Sequence, residues 1–189
     1  MKNYYISDLH LGHKNCIRFD ERPFADIDEM ASVIIRRWNS KVRDEDHVYL
    51  VGDVAYRHHN EIHTVLEELK GHIHLVIGNH DPVCVMKNGR AMNCFESVEW
   101  IMRIEDEGRT VCLCHFPIIC WDQKHRNSYH IYGHVHSKVD EDTIYMMKQE
   151  NAFNCGCMLN DYYPCTLEEL AENKKERNKK LGIMTNATS

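Results

Sequence analysis

No apolar run in the sequence exceeds four residues; 48–51 and 111–114 are among the longest. A bilayer span needs about 20 consecutive apolar residues, so no membrane segment is expected. A secretory signal is not expected either, because Asp8 and His10 arrive before an apolar core could fit. Proline is scarce, at 4 residues, and no repeat, low-complexity stretch or linker interrupts the 189 residues. One folded unit is the expectation. Positive charge is also short: 23 Lys and Arg against 29 Asp and Glu leave −6. Domains that wrap duplex nucleic acid through its phosphates are ordinarily basic, so binding of extended duplex is not expected. A nucleotide or a short nucleic-acid end remains admissible.

Histidine and cysteine are abundant instead, at 14 and 9 residues. No histidine run is longer than His58-His59, which excludes a purification tag. An odd cysteine count, in a chain large enough to need no disulfide staples, points to free thiols in a reducing cytoplasm. Cys112-x-Cys114 and Cys155-x-Cys157 are one residue short of the usual structural-zinc spacing, and read as small buried side chains on strands.

Along the chain, β-rich runs end in polar clusters. Residues 4–7 lead into Asp8-Leu9-His10 and 47–51 into Gly52-Asp53. Residues 73–77 lead into Gly78-Asn79-His80-Asp81, 110–114 into His115, and 129–132 into Gly133-His134-Val135-His136. Weaker strand signals cover 98–104, 143–148 and 152–155. Helical spacing joins Ile27, Met30, Ala31, Ile34, Ile35 and Trp38, and again Ile62, Val65, Leu66 and Leu69, with Asn60 as N-cap and Gly71 as terminator. Thr166-x-x-Glu169 is a capping box for a last helix, whose apolar stripe fades after Lys174, so the final dozen residues are expected to fray. The pattern is α/β, with one domain over residues 1–165 and a C-terminal helix and tail over 166–189.

In an open α/β sheet, ligands gather outside the carboxyl ends of strands. Each polar cluster taken singly is weak: Asp-x-His is a common surface accident, and Gly-Asp or Gly-Asn also reads as a turn. Together they place aspartate, asparagine and histidine at successive strand ends. Asp8 and His10, like His134 and His136, are two residues apart, so in extended backbone each pair projects to one side. Imidazole with carboxylate suits zinc, manganese, iron or cobalt, whereas calcium and magnesium prefer oxygen alone. Gly52, Gly78 and Gly133 precede proposed ligands, where positive φ or a close backbone approach would require glycine.

These blocks, in this order, resemble the calcineurin-like metallophosphoesterases, above all their small single-domain bacterial and phage members. The likeness spans residues 4 to about 160, with no motif position departing from the pattern. It implies an α/β (α+β) four-layer sandwich of two mixed β-sheets flanked by helices, with a dinuclear metal site at the strand ends. It assigns Asp8, His10, Asp53 and His136 to one divalent ion, and Asn79, His115, His134 and the shared Asp53 to a second. Mn2+ comes first, with Fe, Zn, Ni or Co as alternatives. It makes His80 the non-ligand histidine that contacts the phosphoryl group and protonates the leaving group, with Asp81 as its orienting partner. The reaction implied is phosphoester hydrolysis, by a metal-bridging hydroxide attacking phosphorus in line. Two divalent ions and two aspartates leave a formal +2, a local field that draws phosphate to an acidic chain.

Because the site would be open, phosphodiesters or nucleotides are slightly favoured over phosphomonoesters of small metabolites or proteins. A catalytically silent scaffold would be expected to have lost His80 or several ligands, and all are present. His13, Arg57 and Arg126 are candidate substrate contacts, the last on a loop, 121–127, expected to be mobile and substrate-reading. Asn154 is expected to approach the metals. His58, His59, His63, His72 and His74 follow no motif and read as surface or helix-face residues. Met146, Met147, Tyr162 and Tyr163 read as packing.

Overall fold

In the computed structural model, which describes residues 1–56 and 61–185, the β-rich runs form two four-stranded sheets. The first holds β1 (Asn3–Ile6), β2 (His47–Leu50), β3 (His72–Val76) and β4 (Ser97–Glu99), in that order. The second holds β5 (Ile101–Asp106), β6 (Arg109–Cys114), β7 (Tyr129–Tyr132) and β8 (Ala152–Asn154). All pairs in the first sheet are parallel, a correction to the expectation that both sheets are mixed. Its connections are long crossovers, which return each strand to the same end. The second sheet is mixed because β5 and β6 form a hairpin across Glu107 (φ 50°) and Gly108 (φ 77°), the left-handed pair a tight two-residue turn requires. The single strand signal at 98–104 is in fact two strands, β4 and β5, with the chain passing from one sheet to the other at Trp100.

The helices are α1 (Lys14–Phe19), α2 (Ile27–Lys41), α3 (Ile62–Glu67), α4 (Asp81–Cys84), α5 (Gly89–Met92), α6 (Glu141–Lys148) and α7 (Leu167–Leu181). In α2 the stripe buries Met30, Ile34 and Trp38, and Asp26 caps the first turn by accepting from the Asp28 and Glu29 amides. The expected N-cap of α3, Asn60, lies outside the described residues. The segment 143–148 is helix rather than strand. Asp140 and Thr143 form a reciprocal capping box, and Thr143, Met146 and Met147 bury at helical spacing, so the cap overrides the β-preference of Thr143, Ile144 and Tyr145. Helix α7 also corrects an expectation, because it continues past Lys174 to Leu181 and ends on Gly182 at φ 67°. Polar anchors replace the missing stripe: the Lys174 ammonium donates to the carbonyls of Gln149 and Ala152, and buried Asn178 donates to that of Met147.

Alternation along the strands then makes four layers. One face of the first sheet (Ile6, Val48, Leu50, Leu75) packs under α2 and α3. Its other face (Tyr5, Tyr49, Val51, Val76) meets Val111, Leu113, Ile131 and Phe153 of the second sheet. The outer face of the second sheet (Cys112, Tyr132, Ala152) is covered by Trp121 and Met146. Met147 and Tyr162 are buried, as expected of packing residues. All nine cysteines are free thiols, and Cys112, Cys114, Cys155 and Cys157 are buried. Among the described residues no helix is long and apolar enough to cross a membrane.

Trp38 is fully buried and its indole donates to the Lys70 carbonyl at 2.8 Å. Trp38→Ala is expected to cost about 3–5 kcal/mol in urea unfolding; a loss below about 1 kcal/mol would contradict this packing.

Candidate metal centre

Parallel strands send their carboxyl ends the same way, and each of the polar clusters begins where β1, β2, β3, β6 or β7 stops. The backbone ladder of the first sheet carries on into them: the amides of Asp8, His10 and Leu11 donate to the carbonyls of Gly52, Asp53 and Val54. On the other side, Ser7 bonds through its amide to the Cys155 carbonyl and accepts the Cys157 amide. Both sheets therefore hold the Asp8 turn.

The turns are strained. Asp8 (φ 57°), His10 (φ 49°), Asp53 (φ 55°), His134 (φ 69°) and His136 (φ 50°) all occupy the left-handed region, at a cost of order 1–3 kcal/mol each. Glycine takes that conformation at Gly52 (φ 82°), where a Cβ would also stand 2.4 Å from His115 Nδ1. Gly133 is needed for space alone, since a Cβ there would meet Ser7 Oγ at 2.4 Å and Asp8 Oδ2 at 2.5 Å.

Asp8, His10, Asp53 and His115 are buried, His80 and His136 are half-buried, and Asn79 and His134 are exposed at the mouth. The Asp8 carboxylate accepts from Ser7 Oγ at 2.6 Å and from the His134 amide at 3.1 Å, and burial raises its pKa. Asp53 accepts from the His80 amide at 2.9 Å. Burial pushes Asp53 up, but His115 and that amide outweigh it and hold the carboxyl at about 2. His115 responds in the opposite sense: burial disfavours its charge, but Asp53 and Asp8 raise it to about 9. Burial lowers His10 to about 3.

Outer partners fix the rings. His115 Nδ1 donates to the Val51 carbonyl at 2.8 Å, which aims Nε2 at Asn79 Oδ1, 3.2 Å away, and Asp53 Oδ2, 3.5 Å away. His136 Nδ1 donates to Asp20 at 2.8 Å, so its Nε2 faces His10 Nε2 at 3.1 Å and Asp8 Oδ1 at 3.6 Å. Asp20 is held in turn by Arg22, a buried guanidinium that also donates to the carbonyls of Asp8 and Leu9. Two atoms bound to one ion at 2.0–2.2 Å stand about 3.0–3.5 Å apart, close to these spacings. Asp8, His10 and His136 form one group able to hold a metal ion, and Asp53, His115 and His134 another. Asp53 Oδ2 stands between them, 3.7 Å from His10 Nε2 and 3.5 Å from His115 Nε2. The donor set, imidazole nitrogen with carboxylate oxygen, fits a first-row divalent ion.

Asp81 is not the orienting partner of His80. Its buried carboxylate accepts the amides of Asp53, Val54 and Gly78 at 2.8–2.9 Å, and burial raises its pKa to about 6 despite those bonds. At the start of α4, consecutive side chains diverge, which directs Asp81 under the Asp53 turn and leaves His80 facing Asp53 Oδ2 at 3.9 Å. His13 does reach the centre: its ring stacks on Tyr56 at 3.7 Å and lies 5.7 Å from that of His10. The Asn154 side chain donates to the His136 carbonyl at 3.1 Å and accepts the Gly156 amide at 2.9 Å, so both its polar atoms are engaged with backbone. Arg57 lies outside the described residues.

Arg126 does not join the site. The segment after His115 must return to the start of parallel strand β7, so the turn Lys124–Arg126 sits at the opposite end of the second sheet. Nor does the loop 121–127 stand free, because buried Trp121 bonds through Nε1 to Ser128. Sequence reasoning missed Ser7, Asp20, Arg22, Tyr56 and His130. Buried His130 accepts the Ile118 amide and donates to the Cys112 carbonyl, tying down the turn that follows His115. Burial lowers it to about 4, keeping the ring neutral for that double role.

No family model matches the chain. The uncharacterized protein MJ1445 of Methanocaldococcus jannaschii is 30% identical over 169 residues, covering 88% of each chain. Among solved structures, a protein of unknown function from Aquifex aeolicus, AQ665, is similar at a TM-score of 0.69 and 25% identity, over 90% of this chain and 97% of that one. An archaeal phosphodiesterase is a more distant likeness, with a TM-score of 0.45 and 16% identity over 82% of each chain.

Asp20→Asn removes the anion behind His136 and is expected to weaken divalent-metal binding about 10–100-fold, measured by titration calorimetry, with an unchanged far-UV spectrum. Unaltered affinity would reduce Asp20 to a structural partner of Arg22.

Proposed function

We propose that the chain, which belongs to one family with MJ1445 of Methanocaldococcus jannaschii and whose strand-end blocks resemble those of the calcineurin-like metallophosphoesterases, is a metal-dependent phosphoester hydrolase. The observation that carries the reading is the pair of histidine–aspartate groups meeting at Asp53 Oδ2. Asp8, His10, Asp53 and His136 would hold one ion, and Asn79, His115, His134 and the same Asp53 the second, with Mn2+ the first choice and Fe, Zn, Ni or Co the alternatives. Two such ions, when bound, lower the pKa of water and offset the charge that builds on the phosphoryl oxygens during in-line displacement.

The protein's own groups supply the rest. His80 is half-buried beside Asp53, its Nε2 3.9 Å from Asp53 Oδ2 and its ring edge-on to those of His10 and Tyr56, a position from which it would contact a phosphoryl oxygen and pass a proton to the departing alkoxide. Asp81 gives the Asp53 turn its shape before substrate arrives, through three amides that would otherwise be buried without partners. Arg22 and Asp20 do the same for the Asp8 and His136 turns. His134 stacks edge-on against Phe116 at 4.7 Å, forming one wall of the mouth, and His13 on Tyr56 forms another flat surface close to His80. A mouth with exposed Asn79 and His134 admits a phosphodiester or nucleotide. With a net charge of −6, a small molecule or a short nucleic-acid end suits it better than duplex.

Protein stripped with chelator is expected to lose hydrolysis of bis-p-nitrophenyl phosphate and to regain it with Mn2+, with a lower rate on p-nitrophenyl phosphate. Absence of hydrolysis of either ester with every divalent ion tried would overturn the proposal. Asp53→Asn is expected to abolish activity and weaken metal binding. His80→Ala should retain the metals and lose about 10²–10⁴ in kcat; an unaltered kcat would remove His80 from proton transfer.

A further inference from the structure

A second cluster of ligating side chains lies at the other end of the first sheet. His47 and His72 open β2 and β3 and are register partners, and His74 follows two residues later, beside Tyr49. Strand alternation puts His47, Tyr49, His72 and His74 on one face, the face that Tyr49 carries into the core between the sheets. The three imidazoles are half-buried at the rim of that core. His47 Nδ1 and His74 Nε2 stand 2.9 Å apart. Glu96, immediately before β4, brings an exposed carboxylate to them, and the three ligand atoms lie within 4.8 Å of one another.

We propose that His47 Nδ1, His74 Nε2 and the Glu96 carboxylate bind a zinc-class divalent ion, separate from the catalytic centre. Two imidazoles and one carboxylate form a set that zinc accepts with a fourth position left to water, and that calcium and magnesium disfavour. The outer partners are in place as well. Ser97 Oγ stands 2.8 Å from His74 Nδ1 and can take its proton, which leaves the Nε2 lone pair directed at His47. His72 Nδ1 bonds to the Glu96 carboxylate and orients it. Such partners set the tautomer and aim of first ligands in metal sites. Surface histidines scattered by chance would not share a face, a register and a carboxylate.

The ion's place determines its effect. The rise along β2 from His47 to Leu50 is about 10 Å, and the Gly52–Asp53 turn lies beyond it, so an ion at the start of the strand is out of reach of a phosphoryl group at the catalytic centre. It would instead join the starts of β2 and β3 to the segment entering β4, where the Glu96 amide already donates to the Ile73 carbonyl at 2.8 Å. An ion bound only by the folded chain stabilises it by mass action. The expected consequence is stability that depends on zinc, with turnover unaffected.

The test is equilibrium dialysis against Zn2+ followed by elemental analysis of the wild type, His74→Ala and Glu96→Gln. Wild-type protein is expected to hold one ion more than either variant and to show a Zn2+-dependent rise in Tm that both variants lose. Hydrolysis of bis-p-nitrophenyl phosphate with Mn2+ should be the same in all three. Glu96 is exposed, so Glu96→Gln keeps the fold intact if His74→Ala does not. Asp53→Asn, impaired at the catalytic centre, should still take up the His74-dependent ion, which keeps this result independent of the phosphoesterase reading. Equal zinc content in the wild type and Glu96→Gln would overturn the site.

Discussion

Burying carboxylates is the constraint on which the rest of the structure depends. Asp8 is fully buried and Asp53 almost so, and an ionised carboxylate in the interior is costly unless it is paired and hydrogen-bonded. The surrounding features compensate for that cost. The Ser7 hydroxyl and the His134 amide converge on Asp8, and the His80 amide and His115 on Asp53. Gly52 and Gly133 are bare so that His115 and Asp8 can close in. Arg22 is drawn into the core beneath the Asp8 turn, with Asp20 as its counter-ion. The two sheets are fastened together at Ser7, the residue next to the first carboxylate.

The same constraint explains which parts of this arrangement were legible in the sequence. Candidate ligands that share a turn are local: Asp8 with His10 and His134 with His136 declare themselves by a two-residue spacing at the end of an apolar run. The strands were legible for the same reason, being short apolar runs with polar stops. Asp20 and Arg22 were not, because their role depends on where α1 and the turn after it bring them, and no spacing announces that an arginine will be buried. Asp81 was misread because the resemblance carried its role over together with that of His80, whereas helix geometry turns neighbouring side chains apart. Arg126 was misread because loop length does not reveal to which end of a sheet the loop returns. Helix α6 was mistaken for a strand because the cap at Asp140 and Thr143 outweighs the β-branched residues that follow it.

The abundance of histidine divides by environment rather than by count. His10, His115, His134 and His136 face the carboxylates, and His80 stands beside them. His130 is a buried neutral strut that uses both nitrogens on the backbone. His47, His72 and His74 line the far rim with Glu96. Imidazole serves all three settings because it can donate at one nitrogen and accept or ligate at the other, and the rings of His115, His136, His130 and His74 are each oriented by the partner on their second nitrogen.

The left-handed backbone at Asp8, His10, Asp53, His134 and His136 also bears on how such a site can change over generations. Asp, Asn and His are the non-glycine residues that tolerate this conformation best, while β-branched residues are excluded. They are also residues whose side chains can coordinate metal. Exchanges of one ligand type for another therefore meet no new backbone penalty, whereas an apolar β-branched replacement would be penalised twice, in chemistry and in conformation. The backbone thus acts as a filter on inherited variation, leaving the set of donor atoms free to drift while the scaffold stays folded.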